Sequence, residues 1–154
     1  MKLELRGHDY KYVVEQSLLA FFPEERPVYG PVAPEDARWA AVSLREEGDR
    51  CAVTTDMGWD GRQASFTQTC ALSGDDYARE GQRRRCMGLS FFRAAREAAG
   101  IRPPWGSLTG IRPAKVAAEL LDQGLSAEEA GRALEETYFV TPQRRRLCLD
   151  AALA

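Results

Sequence analysis

The residues whose types could support chemistry are four cysteines, one histidine and a short basic segment at a helix entry. Cys51, Cys70, Cys86 and Cys148 contain no CxxC pair. To hold zinc or an iron–sulfur centre they would have to converge through the fold. Their spacing carries no sign of that, so they are expected to act as small buried hydrophobes, with no metal ligands among them. His8 is the single histidine and lies at a strand-to-helix junction. A turn or capping role is expected for it rather than general-base work, and one histidine leaves few nucleophile–base pairs. The sequence has no GxxxxGK[ST], GxGxxG, HExxH or GxSxG motif. No catalytic residue is therefore expected in this chain.

The most distinctive stretch is residues 104–115, Pro-Trp-Gly-Ser-Leu-Thr-Gly-Ile-Arg-Pro-Ala-Lys. Trp105 can anchor the segment in a core, and Gly106 and Gly110 permit backbone shapes closed to other residues. Thr109 is expected to cap the helix that Pro113 begins. Arg112 and Lys115 then project near a helix N-terminus, where free N–H groups already favour an anion. Thr109, Arg112 and Lys115 are thus the candidate contacts to a carboxylate substrate or to a neighbouring domain. Taken alone, the same spacing is also satisfied by a tightly specified helix entry.

The elements that position these residues can be read from periodicity and punctuation. Residues 2–6 alternate like a half-buried strand. A helix capped by Asp9 follows, with Tyr12, Val13, Leu19 and Ala20 as its apolar positions, and it ends at Phe21-Phe22-Pro23. Residues 24–36 are proline-rich and read as an irregular connector. Strands are expected at 38–45, 50–55 and 62–72, separated by Gly/Asp-rich turns at 46–49 and 56–61, forming an antiparallel meander. Ser73 or Asp75 can cap a long helix reaching Ala99, closed by Gly100. Three helices complete the chain. Val116, Leu120 and Leu121 form the inner stripe of the first. Ser126 with Glu129 makes a capping box for the second, whose inner face is Ala130, Leu134 and Tyr138. Leu147, Ala151 and Ala154 fall in register on the third. The fold class is α+β: a small, mostly antiparallel sheet with packed helices, then a helical segment. The boundary is expected at residues 1–100 against 101–154.

At 154 residues, 44% hydrophobic and 29% charged, the chain suits one good core rather than two ordinary domains. A net charge of −2 disfavours a dedicated nucleic-acid binder. Arg83-Arg84-Arg85 and Arg144-Arg145-Arg146 nevertheless keep an RNA- or acidic-partner-binding module open as the alternative. Arginine greatly outnumbers lysine, a bias that a GC-rich coding sequence produces. No apolar run approaches a signal peptide or membrane span, so a cytoplasmic location without membrane partners is expected.

The segment Trp105-Gly106-Ser107-Leu108-Thr109-Gly110-Ile111-Arg112-Pro113 with Lys115 is followed by Leu120-Leu121, Gly124, Leu134, Tyr138 and Val140. It resembles the pre-barrel region of HemZ-type oxygen-independent coproporphyrinogen III oxidases, which are radical S-adenosylmethionine enzymes of porphyrin and haem biosynthesis. The close likeness covers the last third of the chain. It implies a parent oxidoreductase that uses a [4Fe–4S] cluster and S-adenosylmethionine for oxidative decarboxylation of propionates. It also implies, as partners, the parent's own C-terminal radical SAM barrel and a tetracarboxylate porphyrinogen. The family binds its cluster through CxxxCxxC. That motif is absent here, so no cluster ligand carries over and no cofactor is expected within this chain. The helical pattern breaks off at Ala154, and continuation into a barrel is expected.

Overall fold

Alternating apolar residues make the first strand, β1 (Lys2–Arg6), which buries Leu3 completely. The computed structural model describes residues 1–109 and 112–154. These divide into two compact units, Met1–Ile101 and Arg102–Ala154.

In the first unit, helix α1 (Lys11–Phe21) follows β1. Its inner stripe is Val14, Ser17, Leu18 and Phe21. The expected positions Tyr12 and Leu19 point outward instead and are 66% and 47% exposed. Apolar residues lie around much of this helix, so periodicity alone leaves the inner face undecided. The deciding contacts are tertiary. Phe21 packs on Phe91 and Phe92, and Phe22 stacks on Trp59 at 4.4 Å between ring centroids. Asp9 does not cap the helix through its side chain. The N-cap is Tyr10, and Asp9 offers only its carbonyl, to the Lys11 N–H.

The connector contains a two-residue strand, β2 (Val28–Tyr29), pairing parallel with β1. Strands β3 (Arg38–Glu47), β4 (Arg50–Trp59) and β5 (Arg62–Ala71) form the expected meander. The order is β2-β1-β3-β4-β5, with β1 and β3 parallel across the α1 crossover. Antiparallel pairing dominates, as the α+β reading requires. β4 runs further than expected, through Asp56, Met57 and Gly58, because these residues stay in register with Ser65, Ala64 and Gln63. The turn shrinks to Asp60-Gly61, both at positive φ (48° and 88°), the conformation of a two-residue hairpin that follows the sheet's twist.

Helix α2 (Asp76–Ala99) lies on one face of the sheet. The Asp75 carboxylate accepts from the Ala78 N–H at its start, and Gly100 closes it in the left-handed conformation. Both signals are those read from the sequence. Its apolar half buries Met87, Leu89, Phe91, Phe92, Ala94, Ala95 and Ala98. Ser90 is also fully buried. Its hydroxyl lies 2.9 Å from Thr55 Oγ1 and 3.0 Å from the carbonyls of Val53 and Phe66, which holds the polar group without loss. Gly81 occupies an ordinary helical position with open space where a Cβ would stand. Gly81→Ala is expected to stabilise this unit by about 0.5–1 kcal/mol, since it removes backbone freedom from the unfolded chain only. A thermal melt with no upward shift would contradict this.

The second unit holds α3 (Pro113–Asp122), α4 (Ala127–Glu136) and α5 (Pro142–Leu153). Leu108, Val116, Ala117, Leu134, Val140 and Cys148 form its core. Trp105, Leu120, Tyr138, Leu149 and Ala152 pack around them. The Ser126–Glu129 capping box is fully made. Helix α5 departs from expectation. Leu147 is 53% exposed, and Ala151 and Ala154 face solvent. Cys148 is its buried residue, with Leu149 and Ala152 beside the core. Alanine and leucine fall on two faces of this helix, so its packing against α3 and α4, not its periodicity, chooses the inner one.

Candidate functional site

The candidate contact residues Thr109, Arg112 and Lys115 all belong to the second unit. Trp105 leads into a short 3-10 turn, Gly106–Leu108. This turn is fastened to the α4–α5 loop. The Ser107 N–H and hydroxyl both donate to the Tyr138 carbonyl, at 2.8 and 3.1 Å, and the Thr141 N–H donates to the Pro104 carbonyl. Gly106 has φ +57°, and a Cβ there would lie 2.1 Å from the Tyr138 oxygen. Thr109 does not cap α3. Its hydroxyl donates to the Gly106 carbonyl at 2.8 Å, closing the 3-10 turn instead. The cap position of α3 is Arg112, with no side-chain cap bond and Pro113 in the first turn. Competition for the Thr109 hydroxyl explains the difference: the Gly106 carbonyl lies one turn back, within easy reach. Gly110 and Ile111, the other part of this segment, lie outside the described residues.

Arg112 and Lys115 are both exposed on the first turn of α3. Two cations one turn apart at a helix N-terminus can receive a carboxylate or phosphate. The structure thus separates the segment's roles. Trp105 to Thr109 build the helix entry, and Arg112 and Lys115 are the outward-facing charges.

The arginine triplets are largely engaged within the chain. Arg83 pairs with Glu46 and Glu80, and Arg84 with Glu80. Arg145 pairs with Glu135 at 2.9 Å, and the Arg144 guanidinium lies 5.4 Å from the Trp105 ring centroid. His8 is likewise a structural residue. The Tyr10 N–H donates to its Nδ1 at 3.0 Å, so Nε2 carries the proton and donates to the Val42 carbonyl at 2.9 Å. With both ring nitrogens occupied, the imidazole ties the β1–α1 turn to β3.

The fold brings together three cysteines that are far apart in sequence. Cys51 on β4 and Cys70 on β5 are direct cross-strand partners. Cys86 on α2 lies over them, and its thiol donates to the Gln68 carbonyl at 3.2 Å. Cys51 and Cys86 are buried, Cys70 is half-buried, and all are free thiols. The missing signal was register: the β4–β5 hairpin sets Cys51 opposite Cys70, and only its tight turn fixes that pairing. The [4Fe–4S] cluster implied by the family resemblance does not fit these residues. The CxxxCxxC spacing is absent, and among the described residues no group of three or more His, Cys, Asp or Glu side chains is placed to hold a metal ion.

A shallow cleft of about 430 Å³ lies on the face of the sheet away from α2, with Arg6, Trp39, Asp56, Gln63 and Ser65 in its lining and the loop of Val32, Ala33 and Pro34 at its rim. Gly58 makes room for the Trp39 indole, since a Cβ there would stand 2.1 Å from Nε1. The polar groups are paired with one another: Arg6 with Glu4 at 3.0 Å, and the Ser65 hydroxyl with Asp56. No helix among the described residues is long and apolar enough to cross a membrane.

No family model and no solved structure matches the chain. It is similar to the oxygen-independent coproporphyrinogen-III oxidase-like protein HemZ of Bacillus subtilis (strain 168), with 23% identity over 124 residues. The aligned stretch is 80% of this chain and 25% of that protein, so the chain spans about a quarter of the length of the curated relative it matches. The relationship shown is a distant one, to a coproporphyrinogen-III oxidase-like protein.

Proposed function

We propose that this chain is the N-terminal accessory domain of a coproporphyrinogen III oxidase-like radical SAM enzyme, with the catalytic barrel and its [4Fe–4S] and S-adenosylmethionine sites supplied by further sequence. The observation that carries this reading is the similarity to HemZ over most of this chain and only a quarter of that protein, together with the likeness of the segment from Trp105 to Lys115. On this reading the decarboxylation chemistry belongs to the barrel. Arg112 and Lys115 contact either the barrel or a propionate of a tetracarboxylate porphyrinogen. The chain acts in the cytoplasm. The competing reading, an RNA-binding module, requires free arginine triplets, and the ion pairs of Arg83, Arg84 and Arg145 weigh against it.

The test is the double substitution Arg112→Ala, Lys115→Ala in the full-length protein. Both side chains are exposed, so folding should change by no more than about 0.5 kcal/mol. Loss of a charge-assisted bond to a carboxylate is worth roughly 1.5–3 kcal/mol, so the loss of even one of the two contacts should lower turnover at low substrate about 10-fold or more. Unchanged kinetics together with unchanged docking of the domain would sink the assignment of these residues.

A further inference from the structure

We propose that β5 is a self-association edge, along which two copies of this chain pair antiparallel, centred on Thr67, and continue the sheet across a two-fold axis. β5 stands at the end of the strand order, with β4 on one side and no described strand on the other. The ladder decides which of its backbone groups stay unpaired. The Leu72 N–H donates to the Asp49 carbonyl, and the Asp60 N–H donates to the Ala37 carbonyl. Hydrogen-bonded pairs recur at every second residue of an antiparallel ladder, so the even-numbered residues of β5 bond to β4. The N–H and carbonyl groups of Gln63, Ser65, Thr67, Thr69 and Ala71 therefore point away from the sheet. These residues are all exposed. Helix α2 does not draw on their backbone groups, since Cys86 and Ser90 donate to the carbonyls of Gln68 and Phe66. Among the described residues the outward groups take part in one long contact, 3.4 Å from the Gln68 amide to the Thr69 carbonyl.

The two edges of this sheet are built differently. At the far edge β2 has only two residues, and Pro27 and Pro31 stand close on either side of it. Short edge strands and prolines are the usual devices against strand addition. β5 has ten residues, with no proline and no lysine. Its register with β4 runs unbroken from Arg62 opposite Trp59 to Ala71 opposite Arg50, without a bulge. Charge selects the occupant. In a chain that is 29% charged, residues 63–74 carry no charged side chain. Arg62 stands before this run, and Asp75 and Asp76 follow it. An antiparallel copy brings the Arg62 end of each strand towards the Asp75 end of the other, so opposite signs meet at both ends. A parallel copy would set like beside like. The register centred on Thr67 pairs every outward residue: Thr67 with its own copy, Ser65 with Thr69, and Gln63 with Ala71. Hydroxyl-bearing side chains then lie opposite one another, as Thr54 and Thr67 already do within the hairpin at 2.7 Å. On the other face the Arg93 guanidinium lies 3.9 Å from the Phe66 ring centroid and covers the aromatic ring beside the edge. Backbone hydrogen bonds, rather than bare apolar surface, therefore hold the pair.

The test follows the full chain by sedimentation equilibrium over a dilution series, with residue-resolved amide exchange at both ends of that series. The expected result is a reversible dimer of twice the 17.1 kDa chain mass. On concentration, exchange at the Ser65, Thr67 and Thr69 amides should slow by about tenfold or more, because each gains a hydrogen bond in the pair. The even-numbered amides of β5 are bonded to β4 and should stay slow throughout. Thr67→Lys sets two ammonium groups against each other at the two-fold axis, and should raise the dissociation constant about tenfold or more. Thr67→Val keeps the β-branched shape without a charge and should leave the dimer in place. The idea is overturned by a chain that stays monomeric throughout the series, or by a dimer that Thr67→Lys leaves equally tight. A dimer whose odd-numbered β5 amides exchange as fast as in the dilute chain overturns it as well. The wild-type exchange pattern decides alone, so a variant that fails to fold does not shelter the proposal. No porphyrin or barrel enters the measurement, so its failure would leave the proposed function untouched.

Discussion

Gly106→Ala is expected to unfold the unit Arg102–Ala154 while Met1–Ile101 stays folded. Two costs act at this one position. At φ +57° a Cβ crowds its own backbone, worth roughly 1–2 kcal/mol. The new methyl would also lie 2.1 Å from the Tyr138 oxygen and 2.5 Å from the Phe139 carbonyl carbon. These are backbone atoms, not the movable tip of a side chain. Relief therefore means parting the 3-10 turn from the α4–α5 loop, which breaks the Ser107–Tyr138 bonds, and overpacking of this kind costs about 1–3 kcal/mol more. Phe139 already holds a positive φ of 60°, so the loop has little slack. A small three-helix core supplies only about 3–5 kcal/mol in total. Hydrogen exchange read peptide by peptide should show loss of protection across α3, α4 and α5 and none across β3–β5. Retained protection in the helices would show that the turn can shift at little cost.

Phe91→Ala is expected to have the largest effect in the other unit. Phe91 is fully buried on α2, 6.3 Å from the Phe21 ring and 6.5 Å from the Phe22 ring. It joins the long helix to the end of α1, and through Phe22 to Trp59 on β4. Truncation removes a fully buried aromatic side chain and leaves a cavity that three rings and a sheet cannot easily fill. The loss is about 3–5 kcal/mol, or roughly 15–30 °C in the melting of this unit. Leu72, buried nearer the start of α2, offers a comparison of smaller volume. A drop of only a degree or two for Phe91→Ala would mean that the α1–α2 contact is plastic and contributes little to the fold.

Much of this protein was legible along the chain because the relevant physics is local. Asp75 and Gly100 bound α2, and Ser126 with Glu129 starts α4, because caps act on N–H and carbonyl groups within a turn of themselves. The meander followed from alternation and from Gly/Asp turns. Helix faces were legible only where the apolar stripe was narrow. Ala130 and Leu134 were placed correctly, whereas Tyr12, Leu19 and Leu147 were not. A helix with apolar residues on two sides is oriented by what it meets.

The candidate sites divide in the same way. The sequence by itself determined the basic helix entry, because Pro113, Arg112 and Lys115 act within one turn, and it also carried the likeness to the HemZ type. Only the tertiary structure decided that Thr109 closes a 3-10 turn rather than capping α3. It likewise decided that His8 has both nitrogens engaged, and that Cys51, Cys70 and Cys86 share one corner of the sheet. Those outcomes depend on strand register and on the docking of α2. Both are fixed by burial summed over a whole core, and no stretch of local sequence contains that sum.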